Sequence, residues 1–250
     1  VKPRGPRAPP AAARAKAAPP PPPPAIVPPP PQTAAAPVSA MTGSAPLTPE
    51  VKRSSEDVRM TFAFDGPTPA AAFRRSDSIW LVFDTDRAID AAAIRRDGSF
   101  IVADAVALDL PHGRALRIRL NRPQLATLAA HDSAWTLILA DKGALPPQPL
   151  TAMRNMAEPG RGSVSIALTS PGQVHRIRDP DAGDALLVMT AGAPARGFMR
   201  RQDFVEFSLL ESTQGIAVAT NSDDVNVEAR PDKVVISRPG GLTLSAASVT

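Results

Sequence analysis

The chain has 250 residues, of which 43% are hydrophobic and only 4% aromatic, and its net charge at pH 7 is +4. It contains no cysteine, which excludes disulfides, zinc–thiolate sites and cysteine catalysis. No stretch approaches the ~18 apolar residues of a membrane span, so we expect no transmembrane segment. Because the sequence begins inside a proline-rich run, we expect it to be a piece of a longer protein, with any signal peptide outside it.

The first fifty residues differ in composition from the rest. They hold 17 of the 30 prolines, in runs such as "APPPPPPAIVPPPPQ". This composition favours polyproline II and cannot bury a core, so we predict a disordered linker over residues 1–52. Residues 1–50 also carry the whole net charge, while residues 51–250 balance 23 basic against 23 acidic side chains. A neutral folded region argues against nucleic-acid binding.

Two similar phrases follow the linker, "DSIWLVFD" at 77–84 and "DSAWTLILAD" at 132–141. The tryptophans, Trp80 and Trp135, are 55 positions apart, and Pro67 and Pro123 are 56 apart. A period of this length predicts a duplicated supersecondary unit. We expect the two tryptophans to occupy equivalent buried positions.

Each unit reads as a three-stranded meander. "RMTFAF" and "LRIRL" alternate apolar and polar residues, which is typical of a strand with one buried face. "WLVF" and "WTLIL" are continuous apolar runs and predict central strands covered on both faces. Fainter copies follow in 164–190 and 204–237, including a strand through Val205, Phe207 and Leu209. The fold class is therefore mainly β, with repeated antiparallel meanders packed as β-sandwich-like units in two domains, 53–145 and 146–250.

Helical patterns are few. The segment 87–98 is the best candidate for a short helix, and the segments 123–130 and 151–156 could add one or two turns each.

Side chains that could perform catalysis are dispersed. His112, His131 and His175 lie far apart in sequence beside predicted turns or strands, so we expect solvated histidines and no metal site. Four aspartates recur beside the turns of both units and are more simply turn formers than a catalytic pair: Asp77, Asp84, Asp132 and Asp141. The loops 179–184 and 221–228 lack the spacing of a calcium loop and read as polar turns. We expect no cofactor.

Arginines offer the one binding surface that the pattern suggests. Arg117 and Arg119 must share the outward face of their strand, and Arg122 follows closely. This set is either a solvated face balanced by acids or a shallow basic groove for an anionic polymer. Few aromatic residues are present to stack on sugars or bases.

The phrases quoted above, with "DPDAGDALLVMT" and "RPDKVVISRPGGLTLS", resemble the N-terminal β region of large tetratricopeptide-repeat proteins of the Gram-negative envelope. The match covers residues 55 to about 246. A single unit also resembles the AMIN-type module, a small β-sandwich that targets envelope proteins to peptidoglycan or to secretion machinery. The resemblance implies a periplasmic location and a binding role.

Two hypotheses follow. The preferred one is a non-enzymatic envelope module that scaffolds or binds an envelope protein or peptidoglycan. The alternative is a peptidoglycan-binding, glycan-binding or carbohydrate-active β-domain, which would require carboxylates or a histidine converging in a pocket.

Overall fold

The computed structural model describes residues 45–55, 57–142, 148–156 and 161–244. The described chain is mainly β, with antiparallel sheets and one short helix, which confirms the predicted class. None of its helices is long and apolar enough to cross a membrane.

In the first half of the fold, the described residues form eight strands and the helix. They are β1 Glu50–Arg53, β2 Asp57–Ala63, β3 Ala70–Arg75, β4 Ser78–Phe83, α1 Ala91–Asp97, β5 Val102–Leu110, β6 Gly113–Leu120, β7 Leu125–His131 and β8 Ala134–Ala140. Strands β1-β2-β8-β7 form a four-stranded sheet, and β3-β4-β6-β5 form one end of a ten-stranded sheet.

The described residues of the second half form twelve strands. They are β9 Gln148–Pro149, β10 Ala152–Asn155, β11 Ser163–Ala167, β12 Pro171–Arg178, β13 Ala185–Ala191, β14 Arg196–Gly197, β15 Gln202–Asp203, β16 Phe207–Leu209, β17 Ser212–Gln214, β18 Ile216–Thr220, β19 Asn226–Arg230 and β20 Lys233–Ser237. Strands β10-β11-β20-β19 form a second four-stranded sheet, and β12, β13, β18 and β16 continue the ten-stranded sheet.

A repeat is present, but its pairing differs from the predicted meander. Strand β2 pairs with β8, and β6 pairs with β4, so the first strand of each unit joins the hairpin of the other unit. Each predicted meander is therefore divided between two sheets and is not confirmed. The second half has the same pairing order, with β11 beside β20 and β18 beside β13.

The two tryptophans are both buried in strands but do not occupy equivalent positions. The hairpin turns begin at Ser76 and Asp132, both with positive φ, and these residues are 56 positions apart. A shift of 56 superposes Ile79, not Trp80, on Trp135, and the pair Ile79–Ile118 on the pair Trp135–Phe62. The 55-residue spacing of the tryptophans is one residue out of register, and one residue turns a side chain to the opposite face of a strand.

Three apolar clusters follow from these faces. Trp135, Phe62 and Ile79 belong to the core between the two sheets of the first half. An equivalent core fills the second half, around Val164, Val218 and Ile236. Trp80 belongs to a third cluster, which lies on the other face of the ten-stranded sheet and combines residues of both halves: Ala71, Phe73, Trp80, Val82, Ala115, Ile177, Leu186, Val188, Leu210 and Ala217. The chain is thus two sandwiches joined by a shared sheet and a common apolar cluster.

The helix predictions held for one segment of three. Helix α1 lies within 87–98, and Asp90 caps it by accepting a hydrogen bond from Ala93 N at 3.0 Å. The segments 123–130 and 151–156 form strands β7 and β10 instead. Their alanine and leucine content favours helix only weakly, and sheet pairing with β8 and β11 overrides it.

The predictions for strands β4, β8 and β16 are confirmed in part. Every residue of β4 is buried, as predicted for a central strand, whereas β8 alternates because only one of its faces meets a core. The strand predicted from Val205 begins at Phe207, and Val205 is exposed in the preceding turn.

The predicted linker boundary at residue 52 falls inside the fold. Leu47 is 2% exposed, and its backbone bonds to Ala88 and Asp90, while β1 pairs with β2. Burial of Leu47 and sheet pairing of β1 offset the entropy of ordering this segment. The rest of the predicted linker, residues 1–44, lies outside the described residues.

Candidate functional site

A buried polar cluster joins the two halves. His175 Nε2 lies 2.7 Å from Asp84 Oδ1, and the two side chains are 3% and 9% exposed. The Thr190 hydroxyl donates to Asp84 Oδ2 at 2.8 Å, and Gln173 N donates to the same oxygen at 3.1 Å. We call Asp84, His175 and Thr190 the Asp–His cluster.

The sequence explains why these side chains meet. Asp84 follows the fully buried strand β4, and its backbone N donates to Pro69 O at 3.1 Å. In β12, His175 and Ile177 face inward while Arg176 and Arg178 face solvent, as period-two alternation requires. Two glycines allow the close approach. A Cβ at Gly113 would lie 2.7 Å from His175 Cε1, and one at Gly172 would lie 2.6 Å from Asp84 Oδ2.

The geometry of the Asp–His cluster is that of a structural contact. Both carboxylate oxygens of Asp84 already accept hydrogen bonds from protein donors. A general base must reach the proton of a substrate, and neither the aspartate nor the imidazole is open to one in this conformation. A satisfied buried cluster of this kind fixes the relative position of the strands that carry it.

The other aspartates and histidines named from the sequence as candidates do not lie at this cluster. His131 ends β7 and Asp132 begins the β7–β8 turn, and the two side chains are 89% and 88% exposed. His112 is exposed in the β5–β6 turn, and Asp77 lies in the β3–β4 turn. Among the described residues, no group of three metal-ligating side chains comes together. The expectation of solvated histidines is therefore wrong for His175 alone, because its strand turns it toward the first half.

The three arginines of the predicted basic face differ in exposure and in their ion-pair partners. Arg117 and Arg119 do share the outward face of β6. Arg117 is 13% exposed and pairs with Asp181 of the second half, whereas Arg119 is exposed. Arg122 lies 3.2 Å from Asp141 at the end of β8 and is 64% exposed.

The loop 179–184 carries three aspartates that form ion pairs with arginines of the first half. Asp181 pairs with Arg117, and the other two pair with Arg75. Arg75 Nε lies 2.6 Å from Asp179, and its Nη2 lies 2.7 Å from Asp184. Asp179 is buried, so this pair is shielded from solvent. The β12–β13 loop therefore brings carboxylates of the second half onto arginines of the first half, and part of the predicted anion-binding face is already neutralised within the molecule.

A first groove lies where loops of the two halves meet. It has a volume of about 450 Å³ and is lined by residues of the β2–β3 loop, the β7–β8 turn and the loops flanking β12 and β13. We call it the proline groove, because Pro67, Pro69 and Pro171 line it. Among the described residues that line it, Asp132 is the one that carries a charge.

A second groove, of about 380 Å³, lies at the β15–β16 turn of the second half. We call it the phenylalanine groove, because it contains Phe204 beside Val205 and Leu244. The Phe204 ring stacks on Phe207 with centroids 4.5 Å apart, and Arg154 Cζ lies 5.4 Å from the Phe204 ring. Val205 is 65% exposed, so the turn presents an apolar side chain to solvent.

Sequence reasoning missed the Asp–His cluster because its members lie 91 positions apart on strands of different halves. The available signal was the alternation in "QVHRIR", which places His175 on the same face as Ile177. An inward histidine needs a polar partner, and the sequence alone does not choose among the aspartates.

Comparison with the models of known protein families gives no match for this chain, and comparison with curated proteins gives none.

Proposed function

We propose that this chain is a non-enzymatic binding and scaffolding module of the Gram-negative cell envelope, located in the periplasm. We further propose that each half is a pair of AMIN-like units and that the chain is the N-terminal part of a larger tetratricopeptide-repeat protein. The resemblance of the strand–turn phrases motivates the envelope setting.

The observation that carries the non-enzymatic proposal is the use made of Asp84 and His175. They are the one aspartate–histidine pair that is buried and hydrogen-bonded in the described structure. Their side chains contact each other and thereby link the two halves. The Thr190 hydroxyl and Gln173 N donate further hydrogen bonds to the carboxylate of Asp84. A catalytic pair would face an open pocket.

The phenylalanine groove supports a protein partner. Its turn is held in place by two hydrogen bonds, from Asn221 N to Glu206 O at 2.8 Å and from Asn221 Nδ2 to Val205 O at 3.3 Å. Val205 is therefore an exposed apolar side chain on a fixed turn, beside an aromatic ring and a cation. Pre-organised apolar side chains with a polar rim are typical of sites that bind another protein.

Site-specific cross-linking tests this surface. A photo-crosslinking amino acid at Val205 in the envelope of a Gram-negative host should yield one discrete higher-mass product. The matched control places the same group at Leu125, which is 48% exposed in the first half. The same product from both positions, or none from Val205, would contradict the proposal.

Cosedimentation with purified peptidoglycan tests the glycan alternative. The informative variant is Arg119→Glu, because Arg119 is exposed and its substitution leaves the Arg117–Asp181 pair intact. The control is Arg200→Glu, which changes an exposed arginine of the second half by the same charge. Binding lost in the first variant alone would favour glycan anchoring through the basic face.

A further inference from the structure

The phenylalanine groove lies between the edges of two sheets of the second sandwich. In the described structure, β10 ends the sheet β10-β11-β20-β19, and β15 ends the ten-stranded sheet. Arg154 of β10 lies over the ring of Phe204, which directly follows β15. Ala152, Phe204 and Leu244 are partly buried against the second core. The rim of that core therefore reaches the surface beside two sheet edges.

Strand β10 is suited to accept another strand at this edge. Among the described strands, β11 alone pairs with it, so the backbone groups that point away from β11 pair with none of them. Strand β19, at the opposite edge of the same sheet, carries an ion pair between Glu228 and Arg230, and charged side chains hinder strand addition. Strand β10 instead presents Met153, and Met156 follows it; they are 60% and 47% exposed. Methionine adapts its shape to varied partners.

The charge of the groove favours an acidic segment. Two of the described residues that line it are charged, Arg154 and Asp203. Asp203 Oδ1 already accepts hydrogen bonds from Arg201 Nε at 2.7 Å and from Ser208 Oγ at 2.6 Å. Arg154 is exposed and forms no ion pair with any described residue; its guanidinium contacts only the Phe204 ring. A carboxylate that arrives with a partner can therefore pair with Arg154 without displacing an acid of this chain.

We propose that β10 and the phenylalanine groove bind an extended, acidic segment of a partner protein by strand addition. The segment continues the sheet beyond β10 through backbone hydrogen bonds. Its side chains on the groove side are acidic beside Arg154 and apolar beside Phe204 and Val205, and those on the other side contact Met153. The inference rests on the proposed protein partner, and it adds the conformation and the charge of the segment that is bound.

Fluorescence anisotropy with the full chain tests the charge. The probe is a labelled peptide of about nine residues, the length of a strand, built from valine, threonine and glutamate, and its control has lysine in place of glutamate. We expect the glutamate peptide to bind about tenfold more tightly, as one charge-assisted contact implies. Arg154→Glu should invert this preference. Arg230→Glu makes the same charge change at an exposed position of β19 and should preserve it.

Backbone methylation of the glutamate peptide tests the strand addition. Two versions carry N-methyl groups on alternate residues, in one phase or in the other. A strand directs alternate N–H groups to one neighbour, so one phase should abolish binding and the other should retain it. Equal behaviour of the two phases would overturn the proposal, and so would equal binding of the glutamate and lysine peptides or no binding of either. A cross-link at Val205 without binding of the glutamate peptide would contradict this inference alone and leave the proposed protein partner standing.

Discussion

The two tryptophan indoles have different hydrogen-bonding environments. Trp135 Nε1 donates to Thr68 O, whereas Trp80 Nε1 is buried without a hydrogen-bond partner in the described structure. Both rings are almost fully buried, so replacing either by alanine should destabilise the fold by about 3–5 kcal/mol.

Phenylalanine substitutions separate the two environments. Trp135→Phe leaves Thr68 O without its donor, while Trp80→Phe removes a buried N–H that has no partner. We therefore expect Trp135→Phe to reduce the free energy of unfolding by about 1 kcal/mol more than Trp80→Phe does. Urea unfolding of the two variants measures this, and an equal loss would contradict the assigned environments.

The carboxyl of Glu206 makes the stability of the fold depend on pH. Burial works to raise the pKa of its carboxyl, but hydrogen bonds from Thr243 and the charge of Arg238 outweigh burial and hold the pKa below its usual value of 4.5. A depressed folded-state pKa means that the charged form stabilises the fold above pH 4.5 and that this stabilisation is lost as pH falls through the folded-state pKa.

Glu206→Gln should therefore flatten the acid side of the stability profile. We expect the free energy of unfolding of the native chain to fall more steeply below pH 4.5 than that of the variant. Urea unfolding between pH 3 and pH 7 provides the measurement, with Glu228→Gln as the control because Glu228 is half-exposed on β19. Parallel profiles for native chain and Glu206→Gln would refute the assignment.

At the scale of elements, the Asp–His cluster ties the end of β4 to β12 and β13. Asp84→Ala would leave the His175 ring buried without its carboxylate partner, while the Thr190 hydroxyl and the Gln173 N–H would keep only the hydrogen bonds between residues 173 and 190. Removal of one member of a buried charged contact typically destabilises by 3–5 kcal/mol, and we expect a loss of about that size. Asp109→Ala is the control, since that aspartate is 87% exposed on β5 and its surface ion pair with Arg114 should contribute less than about 1 kcal/mol.

Elements also show what the sequence could and could not predict. Alternation placed β2 and β6 close to their observed bounds, because a one-sided core requires period two. It could not choose partners, since β2 pairs with β8 instead of the adjacent β3, and Thr61 of β2 meets Thr136 of β8, 75 positions along the chain. The register of the repeat was set by the turns at Ser76 and Asp132, and the more conspicuous tryptophans led to an alignment one residue out.

The contacts of the candidate site were also hard to predict, because they too join residues that lie far apart in the sequence. Arg117 and Arg119 were placed on one face correctly, because neighbouring positions fix that relation. The contacts Arg117–Asp181 and Asp84–His175 join the two halves, and only the tertiary arrangement brings them together. Local pattern carries no information on such pairs.

At the scale of the whole molecule, the two sandwiches share structure. The ten-stranded sheet contains strands of both halves, and the apolar cluster around Trp80 draws on both. Arg75 and Arg117 add ion pairs between the halves. If these contacts unite the halves into one scaffold, neither sandwich should unfold without the other.

Scanning calorimetry of the intact chain tests that claim most directly. We expect a single transition whose calorimetric enthalpy equals its van't Hoff enthalpy, as for a two-state unit. Two resolved transitions, or a calorimetric enthalpy about twice the van't Hoff value, would mean that the halves unfold independently and that the Asp–His cluster does not join them.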